Sequence, residues 1–292
     1  MDPMMNRGMH YIKDTDHVPE GLLEKLRPIQ HVALDMDGTI YNGKTLFPYT
    51  LDFLGGLKQI GISYSFLTNN PSNSTADYLR KLQGLGIEAT AEEMYTSAQA
   101  TIDYLKHHRP ELKKLFILGT PSMIDQFETQ GFLSLPDSAE ATPDALIVAF
   151  DRSLTYERLC RAAWWAGNGV PYFATNPDWV CPTDQPLILV DCGSICAAIE
   201  AATGRKPDKV LGKPRPEMLY GILESRQLRP EQVAMVGDRI YTDMKMARNA
   251  GAIGVLVLSG EATLADAENA PSELDVVVPS IRELGLLLEK TR

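Results

Sequence analysis

His31-Val32-Ala33-Leu34-Asp35-Met36-Asp37-Gly38-Thr39 decides how this chain is read. His31 to Leu34 reads as a short apolar strand, and Gly38 supplies the turn signal that stops it. Two carboxylates follow at positions i and i+2. In an apolar site they would repel each other unless a cation or a shared proton neutralised them. The carboxyl edge of a parallel sheet offers a ligand crevice. One acid is therefore a candidate to attack a substrate and bind metal, the other to move protons. An EF-hand-like calcium loop opens with similar spacing, but Thr39-Ile40-Tyr41-Asn42-Gly43 brings no further acid.

Downstream of this stretch, residues 50–60 carry apolar side chains at 51, 54, 57 and 60 before Gly61, which predicts a helix with a C-terminal stop. Ile62 to Leu67 is a second strand, delivering Thr68-Asn69-Asn70-Pro71, and Ser74 to Leu85 a second helix closed by Gly86. Strand–helix alternation with short connections predicts a doubly wound parallel sheet, an α/β fold. From about Thr90 to Leu189 the alternation repeats, with strands at Leu115–Leu118, Ala145–Phe150 and Tyr172–Ala174. A second α/β unit inserted into the first is the simplest arrangement. The core resumes with a helix over Ser194–Thr203, the Gly212-Lys213-Pro214 loop and a helix from Pro216, which suits a first helical turn. Val233–Val236 is a strand ending at Gly237-Asp238, and Ala252–Leu258 and Val276–Val278 are further strands. Before Gln30, Val18 to Leu26 predicts a small helix in a short extension.

Composition narrows the function classes. At 292 residues the chain is long enough for two compact domains, and 44% hydrophobic residues fill ordinary cores. It has no apolar run long enough to span a bilayer, and Met1 to Lys13 lacks a signal-peptide core, so a cytoplasmic protein is expected. The net charge of -10, without a dense Lys/Arg patch, argues against nucleic acid or an anionic membrane as main partner. An acidic enzyme still binds phosphate esters if a metal and a few local cations reverse the field at the site. Cys160, Cys181, Cys192 and Cys196 are too few and too irregular for a disulfide scaffold or a zinc ribbon. Cys192 and Cys196 could share a helix face and are read as reduced, half-buried thiols.

Asp35-x-Asp37, Thr68-Asn69, Lys213, Asp238 and Asp243 now stand in an order that a parallel sheet would gather at one edge. Together they resemble the haloacid dehalogenase superfamily in its phosphatase branch. The first motif of that family is matched by Asp35-Met36-Asp37-Gly38-Thr39, the second by Thr68-Asn69-Asn70, the third by Lys213 and the fourth by Gly237-Asp238-Arg239-Ile240-Tyr241-Thr242-Asp243. The long insert resembles the α/β cap of the NagD-like and p-nitrophenylphosphatase-like group. Tyr95-Thr96-Ser97-Ala98, Ala174-Thr175-Asn176-Pro177-Asp178 and Ala202-Thr203-Gly204-Arg205-Lys206-Pro207 also resemble it. The resemblance implies an extension over 1–29, a discontinuous core over 30–89 and 190–292, and a cap over 90–189.

It also implies a chemistry: magnesium-dependent hydrolysis of small phosphate monoesters such as sugar phosphates, nucleoside monophosphates or p-nitrophenyl phosphate. Mg2+ would be held by the Asp35 carboxylate, the Asp37 carbonyl and the Asp238 carboxylate, with Asp243 orienting the outer shell. Asp35 would be the nucleophile and Asp37 the general acid and base. Thr68 and the Asn69 N–H would hold a phosphoryl oxygen, and Lys213 would balance charge. Expected pocket residues in the insert are Asn176, Asp178, Trp179 and Asp191. Val190-Asp191-Cys192-Gly193-Ser194 departs from the small Pro/Gly/Ala-rich turn of relatives, and Asp191, if it faces a pocket, would favour hydroxyls or an amine on the substrate. Trp164 and Trp165 are expected in the cap core, while Trp179 suits packing and substrate stacking equally. The expected partner is a small phosphorylated metabolite, with a homodimer through the caps. A phospho-aspartate signalling receiver and a catalytically silent scaffold are the competing classes. The insert and Asp37 disfavour the first, and the intact motifs the second.

Overall fold

The computed structural model describes residues 9–181, 183 and 185–292. Residues 1–8, where the expected extension begins, and positions 182 and 184 lie outside the described residues. The chain forms two compact units. One comprises residues 9–67, 82–93 and 214–292, the other residues 68–81 and 94–213.

The first unit is built on a parallel sheet. Its strands lie in the order His10–Tyr11, Val276–Val278, Ile253–Val257, Val233–Gly237, His31–Asp35 and Ser63–Thr68. Val233–Gly237, Ile253–Val257 and Val276–Val278 are buried at every position, as strands covered on both faces must be. From His31–Asp35 the chain passes to Ser63–Thr68 on one side, and Val233–Gly237 lies on the other. The direction of winding therefore reverses at the Asp35 strand, and such a switch point opens a crevice at the carboxyl edge. Register sets the acids level: Leu34 lies opposite Val236, and Asp35 opposite Leu67.

The segment before Gln30 is docked on this unit. His10 and Tyr11 pair with Val276 and Val277, and Leu22, Leu26 and Ile29 are fully buried. Lys25 Nζ reaches Asp275 Oδ1 at 2.7 Å, and Lys290 Nζ donates to the Thr15 carbonyl at 2.6 Å. The helix within it, Leu22–Leu26, is shorter than the predicted one because Gly21, at φ 80°, starts it late.

The second unit holds a separate parallel sheet, ordered Lys209–Val210, Tyr172–Ala174, Ala145–Val148, Lys114–Leu118 and Leu133–Ser134. Helices Ser97–His108, Pro121–Thr129, Tyr156–Gly167 and Cys192–Thr203 accompany it. Thr96, Thr120 and Thr155 cap the first three, each accepting a backbone N–H three residues on. An antiparallel pair, Val180–Cys181 with Leu189–Val190, precedes the fourth.

Two expectations are corrected here. Trp165 packs in the core with Ala162, Ala166 and Ile199, but Trp164 is 55% exposed. Neighbours on a helix point ~100° apart, so one apolar face takes only one of the pair. Cys192 and Cys196 do share a helix face, with sulfurs 4.0 Å apart, but both are buried rather than half-buried.

His31 generates a test of the packing. It is fully buried, its Nδ1 lies 2.7 Å from Ser63 Oγ, and its Nε2 has no hydrogen-bond partner. Burial, helped by the Arg226 charge, pushes the imidazole down from 6.5 to about 3. As pH falls below 6.5 the unfolded chain takes up a proton that the folded one refuses until about pH 3, so stability falls with pH across that window. Urea midpoints of His31→Leu should lose less between pH 6.5 and 4 than those of the wild type. Equal losses would remove His31 as the source.

Candidate active site

The Asp35 strand ends in a tight turn. Met36 O accepts from the N–H groups of Thr39 at 3.2 Å and Ile40 at 2.9 Å, and Gly38 sits at φ 82°. A Cβ at Gly38 would fall 2.3 Å from Asp238 Oδ2, so only glycine lets the loop approach this carboxylate. The Gly38 carbonyl accepts from Ser259 Oγ at 2.7 Å, tying the turn to the loop after Ile253–Val257. Asp37 is exposed at the rim, and its Oδ1 accepts the Gly43 N–H at 3.3 Å.

Asp238 follows Val233–Gly237 directly and is buried. Its Oδ2 accepts the Glu261 N–H at 2.7 Å, while its Oδ1 is buried with no hydrogen-bond partner. Asp243 reaches the same place by a π-helical turn, Ile240–Met244, in which Met244 N–H bonds the Arg239 carbonyl at 3.2 Å. The wider turn is a device found mostly at functional sites. A side chain on Gly237 would collide with Asp243, its Cβ lying 2.3 Å from Asp243 Cγ. Arg239 is engaged beside them, with Nε 2.8 Å from Glu261 Oε2, and Glu261 also accepts from Tyr241.

Carboxylate oxygens of Asp35, Asp238 and Asp243 thus lie within 4.8 Å of one another. Burial, then the charges of Asp35 and Asp243, push the Asp238 carboxyl up from 3.8 to about 7. Three acids and an orphaned buried oxygen make an all-oxygen donor set that fits a hard divalent cation.

The second unit carries the other predicted residues. Thr68 closes the Ser63–Thr68 strand, and its Oγ1 accepts the Asn70 N–H at 3.1 Å. Asn69 is buried, and its carbonyl accepts from Ser97 Oγ at 2.7 Å. Its side chain grips Lys213 144 residues away: Oδ1 accepts the Lys213 N–H at 2.7 Å, and Nδ2 donates to the Lys213 carbonyl at 3.0 Å. Gly212, at φ 73°, makes room, since a Cβ there would lie 2.7 Å from Asn69 Oδ1. Nδ2 also donates to Asp178 Oδ2 at 3.1 Å. Asn176 and Asp191 are buried against each other, with Asn176 Nδ2 donating to Asp191 Oδ1 at 3.1 Å. The same oxygen accepts the Cys192 N–H at 2.5 Å, so Asp191 caps Cys192–Thr203. Trp179 is 64% exposed.

Sequence reading finds Asp35 and Asp238 because each stands at the end of an apolar strand, and Asp243 because its motif resembles that of a known family. It misses Ser259, Gly260 and Glu261, which serve through backbone, bare Cα or a single hydroxyl; the one signal near them is a Ser-Gly pair after an apolar run.

The Asp238 shift predicts a cost in the metal-free fold. Between about pH 3.8 and 7 the folded chain keeps a proton that the unfolded chain has lost, so Asp238 destabilises more as pH rises through that window. In EDTA, Asp238→Asn should raise the urea midpoint more at pH 8 than at pH 5. A gain that does not grow with pH would contradict the origin given for the shift.

Comparison with known proteins agrees with this geometry. The family model described as haloacid dehalogenase-like hydrolase matches residues 32–133, and the HAD-hydrolase-like model matches residues 210–284. The ribonucleotide monophosphatase NagD of Escherichia coli is 33% identical over 259 residues, covering 89% of this chain and 99% of the relative. The crystal structure of a 4-nitrophenylphosphatase from Thermotoga maritima superposes with a TM-score of 0.84 at 41% identity, covering 90% of this chain and 98% of that one. A glycerol phosphate phosphatase from Mycobacterium tuberculosis, solved in complex with magnesium, gives 0.81 at 28% identity, covering 89% and 78%. No helix among the described residues is long and apolar enough to cross a membrane. The chain therefore belongs to the haloacid dehalogenase-like hydrolases, in their NagD and p-nitrophenylphosphatase group, and is a phosphoric monoester hydrolase.

Proposed function

We propose that the chain hydrolyses small phosphate monoesters through an aspartyl-phosphate on Asp35. The observation that carries this reading is the cluster of Asp35, Asp238 and Asp243 at the switch point of the sheet. Ribonucleoside monophosphates, 4-nitrophenyl phosphate and glycerol phosphate, the substrates in its relatives' names, define the range, and sugar phosphates fall within it.

Asp35, Asp238 and the Asp37 carbonyl would hold the metal, with Asp243 orienting its outer ligands. Bound magnesium supplies positive charge that lowers the repulsion between the nucleophile and the phosphoryl oxygens. An Asp35 oxygen attacks phosphorus, and the bond from phosphorus to the ester oxygen breaks. Asp37 gives its proton to the departing oxygen. Asp37, now a carboxylate, takes a proton from water as that water attacks phosphorus. The bond from phosphorus to Asp35 then breaks, releasing phosphate and restoring the free carboxylate. Thr68 and the Asn69 N–H bind a phosphoryl oxygen, and the Lys213 ammonium balances the charge of Asp35 and phosphate. Asn176 and Asp191 belong to the substrate-selecting region. The insert over 90–189, between core segments 30–89 and 190–292, is the cap domain of this reading.

Cytoplasmic residence and a homodimer belong to the same reading. A monomer-only sedimentation profile would exclude the dimer.

Asp35→Asn should abolish turnover of p-nitrophenyl phosphate while leaving the circular dichroism spectrum and melting curve intact. Asp37→Asn should lower kcat by about 10²–10⁴-fold, the usual contribution of general acid–base catalysis. Near-normal hydrolysis by the Asp35 variant would end the nucleophile assignment.

A further inference from the structure

We propose that Asp178 is a positioning residue for the hydrolysis: it locks the Asn69 amide, and through that amide it fixes the peptide of Lys213. This rests on the role given to Lys213 under the proposed function.

A carboxamide has two N–H donors and one carbonyl acceptor. Asn69 uses the carbonyl on the Lys213 N–H, at 2.7 Å, and Nδ2 on both the Lys213 carbonyl, at 3.0 Å, and Asp178 Oδ2, at 3.1 Å. The pairing with Lys213 works in one orientation only. A flipped amide would set NH2 against the Lys213 N–H and oxygen against the Lys213 carbonyl, two repulsive contacts in a buried place. An ionised Asp178 has no donor, so it too accepts only the orientation that presents Nδ2. Its charge strengthens that bond roughly twofold over a neutral one.

Asp178 is itself held firmly. Its carbonyl accepts the Gly193 N–H at 2.8 Å, and the next carbonyl, that of Trp179, accepts from Asp191 N–H at 3.0 Å and Ser194 Oγ at 2.7 Å. Gly193 is required there, because a Cβ would lie 2.4 Å from the Pro177 carbonyl. The start of Cys192–Thr203 thus fixes Asp178, Asp178 fixes Asn69, and Asn69 fixes the backbone of Lys213. A long, flexible ammonium side chain is placed only as well as its Cα. The sequence suggested Asp178 as a pocket residue, and the two roles make different predictions. A residue touching the variable part of the substrate changes selectivity; a residue acting through Lys213 affects every ester alike.

The test measures kcat and KM for p-nitrophenyl phosphate and a nucleoside monophosphate. Asp178→Ala should lower kcat by about tenfold or more for both esters, since displacements near 1 Å cost up to about 10²-fold. KM should stay within about twofold, as expected for an interaction made in the transition state. Asp178→Asn, which keeps an acceptor of the same shape, should recover most of the loss. Added to Lys213→Ala, Asp178→Ala should lower kcat no further. Asp178→Ser, too short to reach Asn69, carries the same test if the alanine variant does not fold. An unchanged kcat in Asp178→Ala, a loss confined to one ester, or a loss that multiplies with that of Lys213→Ala would overturn the proposal. An inactive wild type, or a fully active Lys213→Ala, would instead overturn the reading of the site on which it rests.

Discussion

Asp35, Asp238 and Asp243 bring three carboxylates to one end of a parallel sheet, two of them buried and Asp35 half-exposed. Water cannot screen such a group fully, and Asp238 receives one backbone N–H while its other oxygen stays orphaned. Burial, and then the charges of Asp35 and Asp243, push the Asp238 carboxyl up to about 7. Packing around the acids is arranged to keep them together. Gly38, Gly237 and Gly260 each stand where any side chain would strike a carboxylate, and the π-helical turn brings Asp243 back under Gly237. An arrangement this costly to a fold is one that a bound cation converts into a functional centre.

The second unit uses the opposite device. Its geometry rests on a neutral amide whose hydrogen bonds are satisfied by groups far apart in sequence, Lys213 and Asp178. Satisfied polar networks of this kind specify position as well as energy.

Much of this was legible in the sequence, for identifiable reasons. Strands of a parallel sheet are continuous apolar runs, so Tyr172–Ala174 and Val276–Val278 are found at their observed limits, and Asp35 and Asp238 stand directly after such runs. The α/β class, with a parallel core sheet and an inserted sheet, follows from that alternation. Two-residue strands escape because they carry no periodicity: His10–Tyr11 is a strand only because Val276 and Val277 lie beside it. Trp164 and Trp165 are indistinguishable by composition, and only the helix face separates them. The pairing of Asn69 with Lys213 leaves no local trace at all, since it spans 144 residues.

The central claim is that mutual repulsion among these carboxylates is relieved by one divalent cation. Calorimetric titration of magnesium into chelator-treated protein tests it without reference to any substrate. A single site per chain is expected, lost in Asp238→Asn while the variant remains folded. Undiminished magnesium binding by that variant would contradict it.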